Sequence, residues 1–196
     1  MPGEGDKHPR AVLVRHGQTS WSRTHRHTGA TDLPLEPEGK EEARALAPVL
    51  GSWTFARVLT SPLRRARETC ALAGFAERAE VCPRLVEWDY GSYEGLTTAE
   101  IHRQRPEWSL WVDGAPGGES PGEVAARADA VVAALRAQRG DVAVFAHGHI
   151  LRVLAARWVG LGADGGGLLA LDPGTLSVLG WERDTPVLGR WNAPCG

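Results

Sequence analysis

The sequence predicts an α/β fold, a three-layer α/β/α sandwich on a mostly parallel sheet, and three observations carry that prediction. Residues 11–14, 58–60 and 142–146 are short apolar runs with many β-branched side chains, the pattern of strands buried on both faces. Helical patterns follow them closely, the alternation expected when parallel strands are joined by crossover helices. Each run also stops at residues with chemistry: Arg15-His16-Gly17, Ser61-Pro62-Leu63-Arg64-Arg65, and His147-Gly148-His149. Ligands of open α/β sheets bind at the carboxyl ends of the strands. Two histidines and at least two arginines should therefore meet at one sheet edge. Arginine presents a planar fork suited to phosphate oxygens, and helix N-termini add backbone N–H groups. The constellation fits a phosphoryl group.

Taken in order, residues 1–10 mix Pro, Gly and both charges and read as a flexible end; residues 11–196 form a single domain. Residues 20–37 are a polar loop holding Trp21, Arg23, His25, Arg26, His27 and Thr28. Pro37 and Glu38 open a helix to about Leu50, with Ala43, Leu46, Ala47 and Leu50 on its inner face. Pro62 sits at a helix start, where its missing N–H costs nothing. A short strand at Val81-Cys82 leads through Glu87 to Tyr90-Gly91-Ser92-Tyr93-Glu94-Gly95, which has no clear period and reads as an active-site loop. Residues 99–111 are predicted helical, with Trp108 and Trp111 as packing groups. Ser120 is an N-cap with Glu123 at the capping-box spacing, opening a helix to about Arg139 that presents Val124, Ala128, Val131, Val132 and Leu135 to the sheet. Another helix starts near Ile150. Residues 160–167 are a glycine-rich connection, and 177–181 with 186–188 form a hairpin at a sheet edge.

Composition narrows the function. In 196 residues, 22 Lys+Arg face 24 Asp+Glu for a net charge of −2, so no global charge favours nucleic acid or a membrane surface. No apolar run approaches a membrane span, and the charged start has no signal-type core. Cys70, Cys82 and Cys195 are odd in number and lack metal-ligand spacing, which suits reduced thiols in a cytoplasmic setting. His8 and His102 read as surface residues.

At the level of motifs the chain resembles the histidine phosphatase superfamily, also called phosphoglycerate mutase-like. Arg15-His16-Gly17 resembles its name-giving motif, Ser61-Pro62-Leu63-Arg64-Arg65-Ala66 its second arginine motif, Glu87 before Tyr90-Gly91 its acid, and His147-Gly148 its second histidine. The resemblance implies a phosphomonoesterase without metal or other cofactor, acting on a small phosphorylated metabolite. Neutral His16 would be the nucleophile, with Arg15, Arg65 and His147 around the phosphoryl oxygens. Glu87 would serve as general acid and then base; Asp89 and Glu94 are the alternative acids and candidate perturbers of it. Thr28 would contact phosphate, and Gln18, Ser61 and Gly148 fall inside the matched motifs as further substrate contacts.

Phosphoglycerate mutases of this family carry Gly-Leu-Asn-Lys after the Tyr-Gly element, where this chain has Tyr93-Glu94-Gly95-Leu96-Thr97, a phosphatase-like pattern. A non-catalytic phosphate-binding module would have lost a catalytic residue, and here none is lost. Trp21-Ser22, residues 31–35, Glu87-Trp88 and the Ala146-His147-Gly148-His149 run with Leu151-Arg152 are most similar to fungal sedoheptulose-1,7-bisphosphatases. Arg23, His25, Arg26, His27 and Arg152 add charge beyond one phosphate and predict a sugar phosphate or bisphosphate, with Trp21, Tyr90 and Tyr93 walling the space between. The competing expectation is a broad acid phosphatase.

Overall fold

The structure, a computed structural model, describes residues 8–195. The first seven residues of the predicted flexible end lie outside them. Its last three are tied down: His8 stacks on Trp181, Pro9 accepts a bond from the Trp181 indole, and Arg10 pairs with Asp141 at 2.6 Å.

Six strands form one mixed sheet: β1 (Ala11–Arg15), β2 (Arg57–Thr60), β3 (Ala79–Val81), β4 (Val142–Ala146), β5 (Leu176–Glu182) and β6 (Thr185–Ala193). Their spatial order is β3-β2-β4-β1-β5-β6. The first four are mutually parallel, whereas β5 runs antiparallel to β1 and forms the expected edge hairpin with β6. The helices are α1 (Ser20–Arg23), α2 (Pro37–Leu50), α3 (Arg64–Cys70), α4 (Thr98–His102), α5 (Leu110–Asp113), α6 (Pro121–Arg136) and α7 (Gly148–Trp158).

Side-chain alternation along the strands makes the two faces. Val12, Val14, Ala143 and Phe145 pack with Leu46 and Leu50 of α2. Leu13, Val142, Val144 and Ala146 face the opposite way onto α6 and α7, through Val124, Ala128, Val131, Leu135, Ile150, Leu151 and Leu154. The five inner residues expected of α6 are all buried, and the capping box forms, with Glu123 N–H donating to Ser120 Oγ. Such a cap is worth about 1 kcal/mol.

Three expectations are corrected. The predicted helix over 99–111 is two short helices, α4 and α5, interrupted around Pro106, which can neither donate a helical hydrogen bond nor let its predecessor stay helical. The polar loop after the first motif contains a helical turn, α1, because Thr19 caps it and exchanges bonds with Ser22. Ala47 is only half-buried, because it lies about 100° around α2 from Leu46, at the margin of the face that buries Gly39, Ala43, Leu46 and Leu50.

Candidate active site

Register places the chemistry. Arg15 pairs with Ala146 in the β1–β4 ladder, and Thr60 with Phe145 in the β2–β4 ladder, so His16 and His147 leave adjacent strand ends at one level and Ser61 leaves the next strand one residue short of it. The chain turns sharply after His16. A Cβ on Gly17 would lie 2.2 Å from the Gly39 carbonyl, so these two glycines let β1 and α2 approach where no side chain fits. Beyond the strand ends lies a cavity of about 240 Å³.

His16 lines this cavity and is 5% exposed. Its Nδ1 is 2.8 Å from the Gly17 carbonyl, which can only accept, so Nδ1 carries the proton and the Nε2 lone pair is left for chemistry. Burial, followed by the nearby Arg65 and Arg15, holds this imidazole well below its ordinary pKa, in the neutral form. The His147 ring stands 5.1 Å away at 60°. Arg65 Nε donates to His147 Nδ1 at 3.1 Å, which puts the His147 proton on Nε2, 2.7 Å from Ser61 Oγ. His147 is likewise held well below its ordinary pKa by burial, then by Arg65.

Arg65, fully buried, stands behind these rings and not among the lining residues. Besides His147 its guanidinium bonds the carbonyls of Thr28, Gly29 and Thr31, fastening the loop that carries Thr28. Arg15 lines the cavity against Gly148 and donates through Nη1 to Leu171 O, while its buried Nε has no partner among the described residues. Buried N–H groups rarely stay unpaired, and this one belongs to a cation at the cavity wall.

Glu87 also lines the cavity. Its carboxylate accepts from the N–H groups of Trp88, His149 and Ile150, each at 2.9 Å, which docks it on the N-terminus of α7. The segment bearing it is held from α6: Arg127 pairs with Glu119 and donates to the carbonyls of Arg84, Val86 and Glu87. The two other candidate acids are engaged elsewhere. Asp89 accepts from Gly91 N–H, and Glu94 from Gly29 and Thr31 N–H; neither is a lining residue.

Of the predicted substrate contacts, Thr28, Tyr90, Gly148 and Arg152 line the cavity, together with His25, Arg26 and His27. Ser61 stands behind it with His147. Four lie off it. Arg23 pairs with Glu36 at 2.9 Å on the outside, and Trp21 packs on Gly95. The helical turn at α1 explains both, because neighbours there diverge by about 100° and it is Ser22 that faces inward. Tyr93 packs edge-on against Trp108, and the Gln18 backbone bonds Glu42 and Glu36. Sequence reading missed Ser22, Thr98 and Leu171 as lining residues and left His149 undecided. Only His149 carried a signal, its place one turn-start beyond the second motif. Among the described residues no group of His, Cys, Asp and Glu is arranged to hold a metal ion, and no helix is long and apolar enough to cross a membrane.

A strand-end histidine pair, buried arginines and a helix-docked glutamate on this mixed sheet define a phosphate-handling α/β protein. The chain belongs to the histidine phosphatase superfamily (branch 1), whose family pattern matches residues 11–194. It is 40% identical to an acid phosphatase of Mycobacterium tuberculosis over 97% of both chains. It is 36% identical to sedoheptulose 1,7-bisphosphatase of Saccharomyces cerevisiae, over 80% of this chain and 69% of that one. The solved structure of a Mycobacterium tuberculosis open reading frame superposes with a TM-score of 0.89 at 37% identity, covering 96% of this chain and 99% of the other.

Proposed function

We propose that this phosphatase hydrolyses a small phosphorylated metabolite of the sugar-phosphate class through a phosphohistidine on His16. The observation that carries the reading is the His16 tautomer: Nδ1–H is committed to Gly17 O, and Nε2 is a neutral nucleophile at the cavity wall. Nε2 attacks phosphorus, the ester P–O bond breaks, and the leaving oxygen takes a proton from Glu87. Water then attacks the phosphohistidine, giving its proton to Glu87; the P–N bond breaks and phosphate departs. Charge on the non-bridging oxygens is met by Arg15 at the cavity wall, with His147 beside His16 and its Nε2–H on Ser61 as the next donor behind it. Arg65 orients His147 and anchors the Thr28 loop, so its contribution is to placement as well as to potential.

The relatives named as an acid phosphatase and a sugar bisphosphatase support the class. Arg26 and Arg152 on the lining support a second anionic group on the substrate. A broad acid phosphatase is the second reading, and one observation favours it: the rim arginines already bond the protein. Arg152 donates to the Gly166 and Gly167 carbonyls, and Arg26 to Gly95 O and Glu100. A panel of sugar mono- and bisphosphates, compared with p-nitrophenyl phosphate by kcat/KM, separates the two. A preference of tenfold or more for one sugar phosphate supports the first, on the order of 1.4 kcal/mol of selective transition-state binding; equal values across the panel support the second.

A further inference from the structure

One wall of the cavity is a stack of rings that takes no part in the steps above. Tyr90 lies against His27 with ring centroids 4.8 Å apart and planes 26° apart, and its hydroxyl is 2.7 Å from His149 Nδ1. Trp108 closes on His27 edge-on at 5.7 Å. His27, Tyr90 and His149 all line the cavity. The His27 backbone is fixed on both sides, its N–H donating to Leu96 O and its carbonyl accepting from Gly95 N–H.

His27 is 9% exposed, yet neither nitrogen of its ring bonds any described residue, and Nε2 is fully enclosed. Buried polar groups in folded proteins are almost always paired. Nε2 is walled off from the cavity, so the nitrogen that a pinned, cavity-lining imidazole leaves open is Nδ1, and an unpaired Nδ1 there is complementary to something the cavity receives. Burial lowers its pKa to about 4 and holds His149 well below its ordinary value too, so both rings are neutral at physiological pH. A single neutral imidazole nitrogen is either a donor or an acceptor, and a hydroxyl matches both; an anion would call for a cation or several N–H groups.

We propose that His27 is a specificity-determining residue that hydrogen-bonds a hydroxyl on the alcohol half of the phosphoester, whose carbon chain packs on the rings of Tyr90 and His149. The proposal rests on the phosphomonoesterase reading and adds how the substrate is chosen: by hydroxyls on its carbon chain.

The test compares ribitol 5-phosphate, pentyl phosphate and pentane-1,5-diol bisphosphate, which share a five-carbon chain and differ in hydroxyls and second anion. In His27→Phe, which keeps a ring on Tyr90 but no nitrogen, the kcat/KM ratio of ribitol 5-phosphate to pentyl phosphate should fall about 3- to 10-fold, mainly through KM. His27→Gln, which returns a donor and an acceptor, should recover part of that ratio. An equal fall on all three esters would show that the ring only props Tyr90, and a fall largest on the bisphosphate would show that it serves an anion; either overturns the proposal. Calorimetric binding of the same esters to His16→Ala, with and without His27→Phe, repeats the comparison without turnover. If the wild type hydrolyses none of them but binding still favours ribitol 5-phosphate through His27, the proposed turnover of this substrate class by His16 and Glu87 fails, while the hydroxyl recognition assigned to His27 stands. Absence of that preference in both assays overturns the proposal itself.

Discussion

On the floor of the cavity, Arg15 and His16, with His147 behind them, leave strands whose level is set by five paired residues of the β1–β4 ladder. On the rim, His25, Arg26 and Thr98 come from segments outside the sheet, joined by the isolated bridge of Arg26 to Thr97 and by bonds of His27 and Arg26 with residues 95, 96 and 100. Behind the floor a buried, bonded chain runs from Arg65 through His147 to Ser61. The rim arginines bond whatever carbonyl or carboxylate lies near. The histidines and Arg15 are thus placed by the sheet, whereas His25, Arg26 and Thr98 are placed by its connections, a division that can let one centre serve different substrates. His25 fits this division: it lines the rim in a left-handed conformation, φ 54°, which non-glycine residues seldom adopt.

The comparison can be broken most forcefully on the floor. His16→Ala should cut kcat by about 10³-fold or more while leaving the melting temperature nearly unchanged, since the ring sits at a strand end and not between the layers. Glu87→Gln should slow sugar phosphates by ~10²–10⁴-fold and p-nitrophenyl phosphate far less, because that leaving group barely needs a proton. Equal losses on both would make Glu87 a positioning group.

The rim should respond more weakly and more selectively. Arg152→Ala should lower kcat/KM on a bisphosphate about 10- to 100-fold, the loss of one charge-assisted bond, with much less effect on p-nitrophenyl phosphate. Arg23→Ala, whose wild-type side chain is turned outward to Glu36, should not discriminate between the two. If Arg23 behaves like Arg152, the division of the loop by the α1 turn is wrong.

Acid should weaken the whole site. His16, His27, His147 and His149 all have lowered pKa values, with burial the first cause in each. The unfolded chain therefore binds protons before the folded one does as pH falls below about 6.5. Stability contributed by these buried neutral rings is complete above that pH and is lost on acidification, for His27 down to about pH 4. Each ring adds up to about 1.4 kcal/mol per pH unit, measurable as a falling melting temperature between pH 6.5 and 4. A melting temperature flat over that range would contradict neutral burial. The smallest expected effect is that of EDTA, which should leave turnover unaltered because arginines supply the positive charge; loss restored by Mg²⁺ or Zn²⁺ would reverse that.

The floor was legible in the sequence because its logic is local. An apolar run followed by Arg15-His16-Gly17 fixes a strand, its end and its turn within a few residues, and the same grammar repeats at His147. The α6 face was equally plain from its period and its cap. Trp21 and Arg23 were misjudged because both were read from a polar loop, whereas Thr19 winds that stretch into a helical turn. Leu171 and Thr98 gave no local sign at all: they reach the cavity only through the long connections after α7 and after Glu87. In sequence Asp89 and Glu94 are alternatives to Glu87, which the family motif favours. They separate in space because Glu87 alone meets the α7 N-terminus.

The central claim is that His16 Nε2 takes the phosphoryl group. Rapid-quench experiments with ³²P-labelled substrate test it most directly. The wild type should yield a protein-bound label that survives base, is released by acid and maps to the peptide containing His16, with none in His16→Ala. A label on any other residue, or full turnover without a phosphoenzyme in wild type and in His16→Ala alike, would contradict the account.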